Sequence, residues 1–202
     1  MDVVHYFDII LHPEETMKAD VKNADMKTAM KSFGIAGAIA GFFVGLAVAF
    51  GGAAFGLGAL SYAAIIVVPI VFAILMAVGS GFGYGLYYLV AKLLGGKGTF
   101  VQNYFLGSRL FWPMIFASII VGIITMIPFV GWLVQIIWFL YTIYLSVVLI
   151  SVANNITKLR AVVVYVLPGI IILAILFMVI GSVLIGALES VFGEMVAVNL
   201  IK

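Results

Sequence analysis

Charge disappears from this chain over three long intervals: between Lys31 and Lys92, between Arg109 and Lys158, and between Arg160 and Glu189. A bilayer core is crossed by about 20 apolar residues in helical form. The intervals therefore make room for about five crossings, arranged two, two and one. The pattern places spans at about 33–50, 62–91, 110–126, 132–153 and 162–188. A Gly/Ala-rich turn covers 51–60, and polar loops cover 92–109 and 154–160. The second span is overlong, so a bend is expected at Pro69 or in the glycine run from Gly79 to Gly85. Ile127-Pro128-Phe129-Val130-Gly131 makes a tight break between spans three and four.

Ahead of the spans, Val3, Val4, Phe7, Ile10 and Leu11 share one helical face, while His5, Asp8 and His12 share the other. Asp2 is a candidate cap for this helix. Ten residues are too few to cross a bilayer, so the segment is expected in the interface or against the bundle. Pro13 opens a second helix with Glu14 and Glu15 in its first turn, where the helix dipole favours acids. The expectation is an all-α integral membrane protein: a polar helical segment, 1–31, then a five-span domain, 32–202.

Composition agrees, with 66% hydrophobic and 9% charged residues against about 25% charged in soluble domains. Basic residues set the orientation. Lys18, Lys22, Lys27 and Lys31 precede span one; Lys92, Lys97 and Arg109 follow span two; Lys158 and Arg160 follow span four. The other two turns have none, and the C-terminal tail has only Lys202. Lys and Arg gather on the cytoplasmic side, so the N-terminus is expected there and the C-terminus outside or in a lumen. Four or six spans would break this alternation. The acidic first thirty residues do not fit a signal peptide. Trp112, Trp132, Tyr62 and Phe129 fall near expected span ends, where amphipathic rings favour the interface; Trp138 fits that pattern less well.

Catalytic chemistry is sparse. There is no cysteine, both histidines lie in the first twelve residues, and no Asp or Glu stands inside a span. His5, Asp8 and His12 have ligand-like spacing, but a solvated polar face explains them better, and no metal or cofactor is expected. Gly95-Gly96-Lys97-Gly98-Thr99 lacks the glycine and hydroxyl spacing of a phosphate loop and reads as a flexible connection. Asn155-Ile156-Thr157 matches a glycosylation acceptor, yet the charge pattern puts it on the cytoplasmic side.

Candidate neutral polar groups in the spans include Ser80, Tyr84, Thr125, Gln135, Tyr141, Thr142, Tyr144 and Ser146. They form either a polar path or interhelical hydrogen bonds, the latter worth about 0.6 kcal/mol each. Gly37, Gly41 and Gly45 make a flat ridge at spacings of four, suited to packing inside the bundle or to a homodimer face.

Ile9-Ile10-Leu11-His12-Pro13-Glu14-Glu15-Thr16-Met17 closes the opening segment. Tyr84-Gly85-Leu86-Tyr87-Tyr88 leads out of span two into Leu94-Gly95-Gly96-Lys97-Gly98-Thr99-Phe100. Ile127-Pro128-Phe129-Val130-Gly131 joins spans three and four, and a polar stretch from Asn154 to Lys158 ends the fourth. In these motifs and their order the chain resembles the Yip family of membrane proteins, named for interaction with Ypt/Rab GTPases, and in particular its short prokaryotic members. The resemblance implies five spans with a cytoplasmic N-terminus and, in eukaryotic members, a role in Golgi and endoplasmic-reticulum trafficking. The Asp-Leu-Tyr-Gly-Pro signature of those members is absent here, so GTPase binding is not carried over.

The leading expectation is a non-enzymatic membrane protein that organises protein partners or lipids. Its cytoplasmic surface would present Phe7, Ile10, Leu11, Lys92, Lys97, Arg109, Lys158 and Arg160. The alternative is a small channel or transporter through the polar groups named above. Membrane lipids, a cytoplasmic protein and a second copy of the chain are the candidate partners; nucleic acid is not.

Overall fold

The computed structural model describes residues 3–54 and 59–200. Its helices are α1 Val3–Leu11, α2 Pro13–Asp20, α3 Met26–Ala54, α4 Ala59–Leu93, α5 Phe100–Ile124, α6 Val130–Asn154 and α7 Lys158–Leu200, with a 3₁₀ turn at Val21–Asn23. No strand occurs among the described residues. Five helices contain a stretch long and apolar enough to cross a membrane: Met26–Gly52, Tyr62–Leu93, Phe100–Ile124, Val130–Asn154 and Lys158–Ser182. The Asp2 cap, the tip of the first turn at 55–58 and the side chain of His5 lie outside the described residues.

Local chemistry explains several helix ends. Pro13 opens α2 where a missing N–H costs nothing. Asp25 accepts from the Thr28 amide at 2.8 Å and the Thr28 hydroxyl at 2.7 Å, holding the start of α3. Thr99 and Gln102 form a reciprocal capping box at the start of α5. Asn155, left-handed at φ 50°, ends α6, and the Ile156 amide reaches back to the Ser151 carbonyl at 3.1 Å.

The capping box corrects one expectation. The polar stretch 92–109 has the composition of a loop, but α4 runs to Leu93 and α5 begins at Phe100 rather than near 110. Asn103 and Ser108 looked like loop residues, yet both are buried with their hydrogen bonds satisfied. Trp112 consequently sits well inside α5, and its indole donates to the Ser32 hydroxyl at 3.0 Å. The indole of Trp138 reaches Ser118 at 3.2 Å, joining α6 to α5. Span two is one continuous helix that runs through Pro69 and the whole glycine run.

The chain divides into two compact units, 1–165 and 166–202. In the first, α3 and α4 form a close antiparallel hairpin. A Cβ on Gly37 would meet the Phe72 carbonyl oxygen at 2.3 Å, on Gly41 the Pro69 Cα at 2.7 Å, and on Gly45 the Ala64 oxygen at 2.6 Å. The ridge is thus filled by α4 of the same chain. α5 and α6 make a second hairpin through 125–129, where Phe129 adopts φ 65° and the Val130 amide bonds the Pro128 carbonyl at 2.8 Å. This positive-φ γ-turn is strained for a bulky residue. The core gathers Phe33, Tyr104, Leu106, Leu145, Val148 and Ile150 with residues of the N-terminal segment. In the second unit the apolar side chains described between Val166 and Ile180 are exposed except for Pro168, as befits a helix largely solvated by hydrocarbon.

Candidate functional site

The polar chemistry collects at one end of the first unit, where the N-terminal segment meets the ends of α4 and α6 and the starts of α5 and α7. Ile9, Ile10, Pro13, Thr16 and Met17 are buried, so α1 and α2 pack on the bundle. Phe7 is half-buried, with its ring 6.4 Å from that of Phe116. The Tyr141 hydroxyl donates to the Ile10 carbonyl. Of the three apolar residues expected at the cytoplasmic surface, Leu11 is 68% exposed, because it is the last residue of α1 and the chain turns at His12, whereas Ile10 is buried against the bundle.

Charges pin this segment. Glu14 accepts from Lys158 at 2.6 Å and from Lys18 at 2.8 Å, and these bonds, Lys158 first, lower its carboxyl from 4.5 to about 2. Hydrogen bonds from Thr28 hold the Asp25 carboxyl below its usual range. Asp20 receives the Arg109 Nε at 3.0 Å. Both side chains of that pair are largely shielded, at 17% and 15% exposure, so it is screened less than a surface pair.

The 94–99 loop is clasped rather than free. Asn103 and Asn154 exchange side-chain amide bonds at 3.0 and 2.8 Å while fully buried. Their remaining amide hydrogens go to the Thr99 and Ile150 carbonyls, each at 3.0 Å. The Lys97 amide donates to the Asn154 carbonyl at 2.8 Å. A Cβ on Gly98 would fall 1.9 Å from the Ala153 oxygen, so only glycine fits. Gly95 has φ 84°, the left-handed turn out of α4. Arg160 donates to the Leu94 carbonyl at 3.3 Å, and Lys92 stands 5.8 Å over the Tyr88 ring.

An open cavity of about 510 Å³ lies between α2, this loop and the junction of α6 with α7. Lys18, Lys97, Glu14, Gln102, Ser151 and Asn155 supply its polar lining. Among the described residues, no three His, Cys, Asp or Glu side chains are grouped to hold a metal ion.

The other candidate residues are dispersed. The hydroxyls of Ser80, Thr125, Thr142 and Ser146 bond carbonyls of their own helices, at Met76, Gly122, Phe139 and Thr142. Gln135 is exposed, and so is Tyr144. Tyr84 packs edge-on to Tyr104 and lies against Gly107. Asn103, Asn154, Asp20 and Tyr104 carry the architecture but were not singled out. Both asparagines fall in stretches that read as polar loops, so no local signal in the sequence marks them.

A multi-pass helical membrane protein with a docked polar segment is the class these features define. A model of the Yip1 domain matches residues 7–181, and the chain belongs to the Yip family. No curated protein and no solved structure gives a significant match.

Proposed function

We propose that this Yip-family protein is a non-enzymatic organiser of protein partners at the cytoplasmic surface of its membrane. The N-terminus then lies inside and the C-terminus outside, following the basic residues. One observation carries the reading: the N-terminal segment is fastened to the bundle by Glu14–Lys158 and Asp20–Arg109. A segment held in this way presents a fixed surface rather than a free tail, and fixed surfaces lose less entropy when a partner docks. Exposed Leu11, Lys22 and Lys97 ring that surface. The channel alternative draws no support from hydroxyls that bond their own helices.

The test is photo-crosslinking in native membranes from positions 11, 22 and 97, read by mass spectrometry. One protein recurring at all three is the expected result. Crosslinks confined to lipid and to the chain itself would overturn the reading.

A further inference from the structure

We propose that the cavity between α2, the 94–99 loop and the α6–α7 junction binds an anionic phosphate group. This rests on the reading that this end of the bundle works at the inner membrane surface.

The cavity's size, about 510 Å³, suits a small ligand, since such sites span about 300–1,000 Å³. Lys18 and Lys97 both line it. An ammonium presents three donors and no acceptor. The Gln102 side-chain oxygen accepts from the Thr99 amide at 2.9 Å, which leaves its N–H groups as further donors. One corner already holds an oxyanion of the chain's own: the two oxygens of Glu14 take Lys18 at 2.8 Å and Lys158 at 2.6 Å. Lys18 and Lys97 against Glu14 leave the lining cationic.

The depth favours a lipid headgroup as the source. The cavity is lined where α5 begins and α6 ends, at the margins of two spans. At the same end Leu93 is 85% exposed beside Lys92, and Leu159 is 79% exposed between Lys158 and Arg160. Apolar side chains alternating with cations suit the boundary between acyl chains and headgroups. A cation near that surface attracts anionic lipid by about 1 kcal/mol, or about fivefold in affinity.

The experiment counts lipid retained by the purified full chain in native mass spectrometry, after adding phosphatidylglycerol or phosphatidylcholine, with and without inorganic phosphate. Preferential retention of phosphatidylglycerol is expected. Lys97→Gln should lower it about fivefold, while the backbone bond from residue 97 to Asn154 persists. Lys22→Gln removes the same charge outside the cavity and should lower retention less than Lys97→Gln does. Clearance of the lipid by inorganic phosphate would support the site and identify a free phosphate as its ligand. Equal retention by wild type and Lys97→Gln, or an equal loss with Lys22→Gln, would overturn the proposal. Because the readout needs no protein partner, failure of the partner reading and failure of this one are separable.

Discussion

α3 meets α4 through three glycines, with backbone against backbone; α5 and α6 meet each other and the N-terminal segment through amides, ion pairs and a phenol. Among the described residues no side-chain hydrogen bond joins α3 to α4. The difference follows from surroundings. Inside hydrocarbon, apolar side chains gain little by leaving lipid, so close packing is what remains to hold helices together. At the water-facing end, polar groups can be paired locally, and a pair fixes orientation as well as distance.

Substitution at the glycine seam should have the largest effect. Gly41→Leu drives a side chain into the backbone of α4 and should cost about 3 kcal/mol. Gly34→Ala, with nothing within 4 Å of the new Cβ, should be neutral or stabilising, by up to about 1 kcal/mol. Equilibrium unfolding of the two variants in detergent separates seam packing from a general dislike of larger residues.

The amide clasp comes next. Asn154→Leu strands the Asn103 side chain in a buried setting and should cost about 1–3 kcal/mol. Adding Asn103→Leu should cost less than the sum of the two single changes, because the second residue no longer leaves an unpaired partner. An additive double variant would show that the two asparagines act independently.

The smallest effect concerns pH. The Glu14 carboxyl sits at about 2 in the folded protein against an ordinary 4.5. Its contribution to docking is therefore complete above about 4.5 and is lost as the pH falls from there through 2. The chain lacks cysteine, so a spin label on Ala19→Cys reports on α2 alone. Label mobility should rise across that acid range, and Glu14→Gln should be mobile at neutral pH and insensitive to acid. A label that stays immobile at neutral pH in Glu14→Gln would show that Asp20–Arg109 and the buried apolar face suffice for docking.

The same contrast explains what could be read from sequence. Five spans were legible because hydrocarbon excludes charge, leaving long uncharged intervals that composition alone reveals. The glycine ridge was legible because a spacing of four is local. Its occupant was not, since a ridge fits a neighbour in the bundle or another molecule equally well. The 92–109 stretch was misread because Gln102, Asn103, Ser108 and Arg109 look like a solvated loop. Each finds a partner from another part of α5, from α6 or from the N-terminal segment, or caps the helix itself. The pairings that skip across the chain, such as Asp20 with Arg109, leave no mark on any local window.

The glycine ridge has a thermal consequence. Gly37, Gly41 and Gly45 carry no rotatable side chain, so on their half of the seam association freezes nothing that the helix had not already ordered. The contact's strength is mainly enthalpic dispersion between close backbones. Warming erodes it less than it erodes contacts built from long, many-rotamer side chains such as lysine and glutamate. The α3–α4 hairpin is therefore expected to outlast the polar end as temperature rises, leaving a paired hairpin from which the N-terminal segment has already come away.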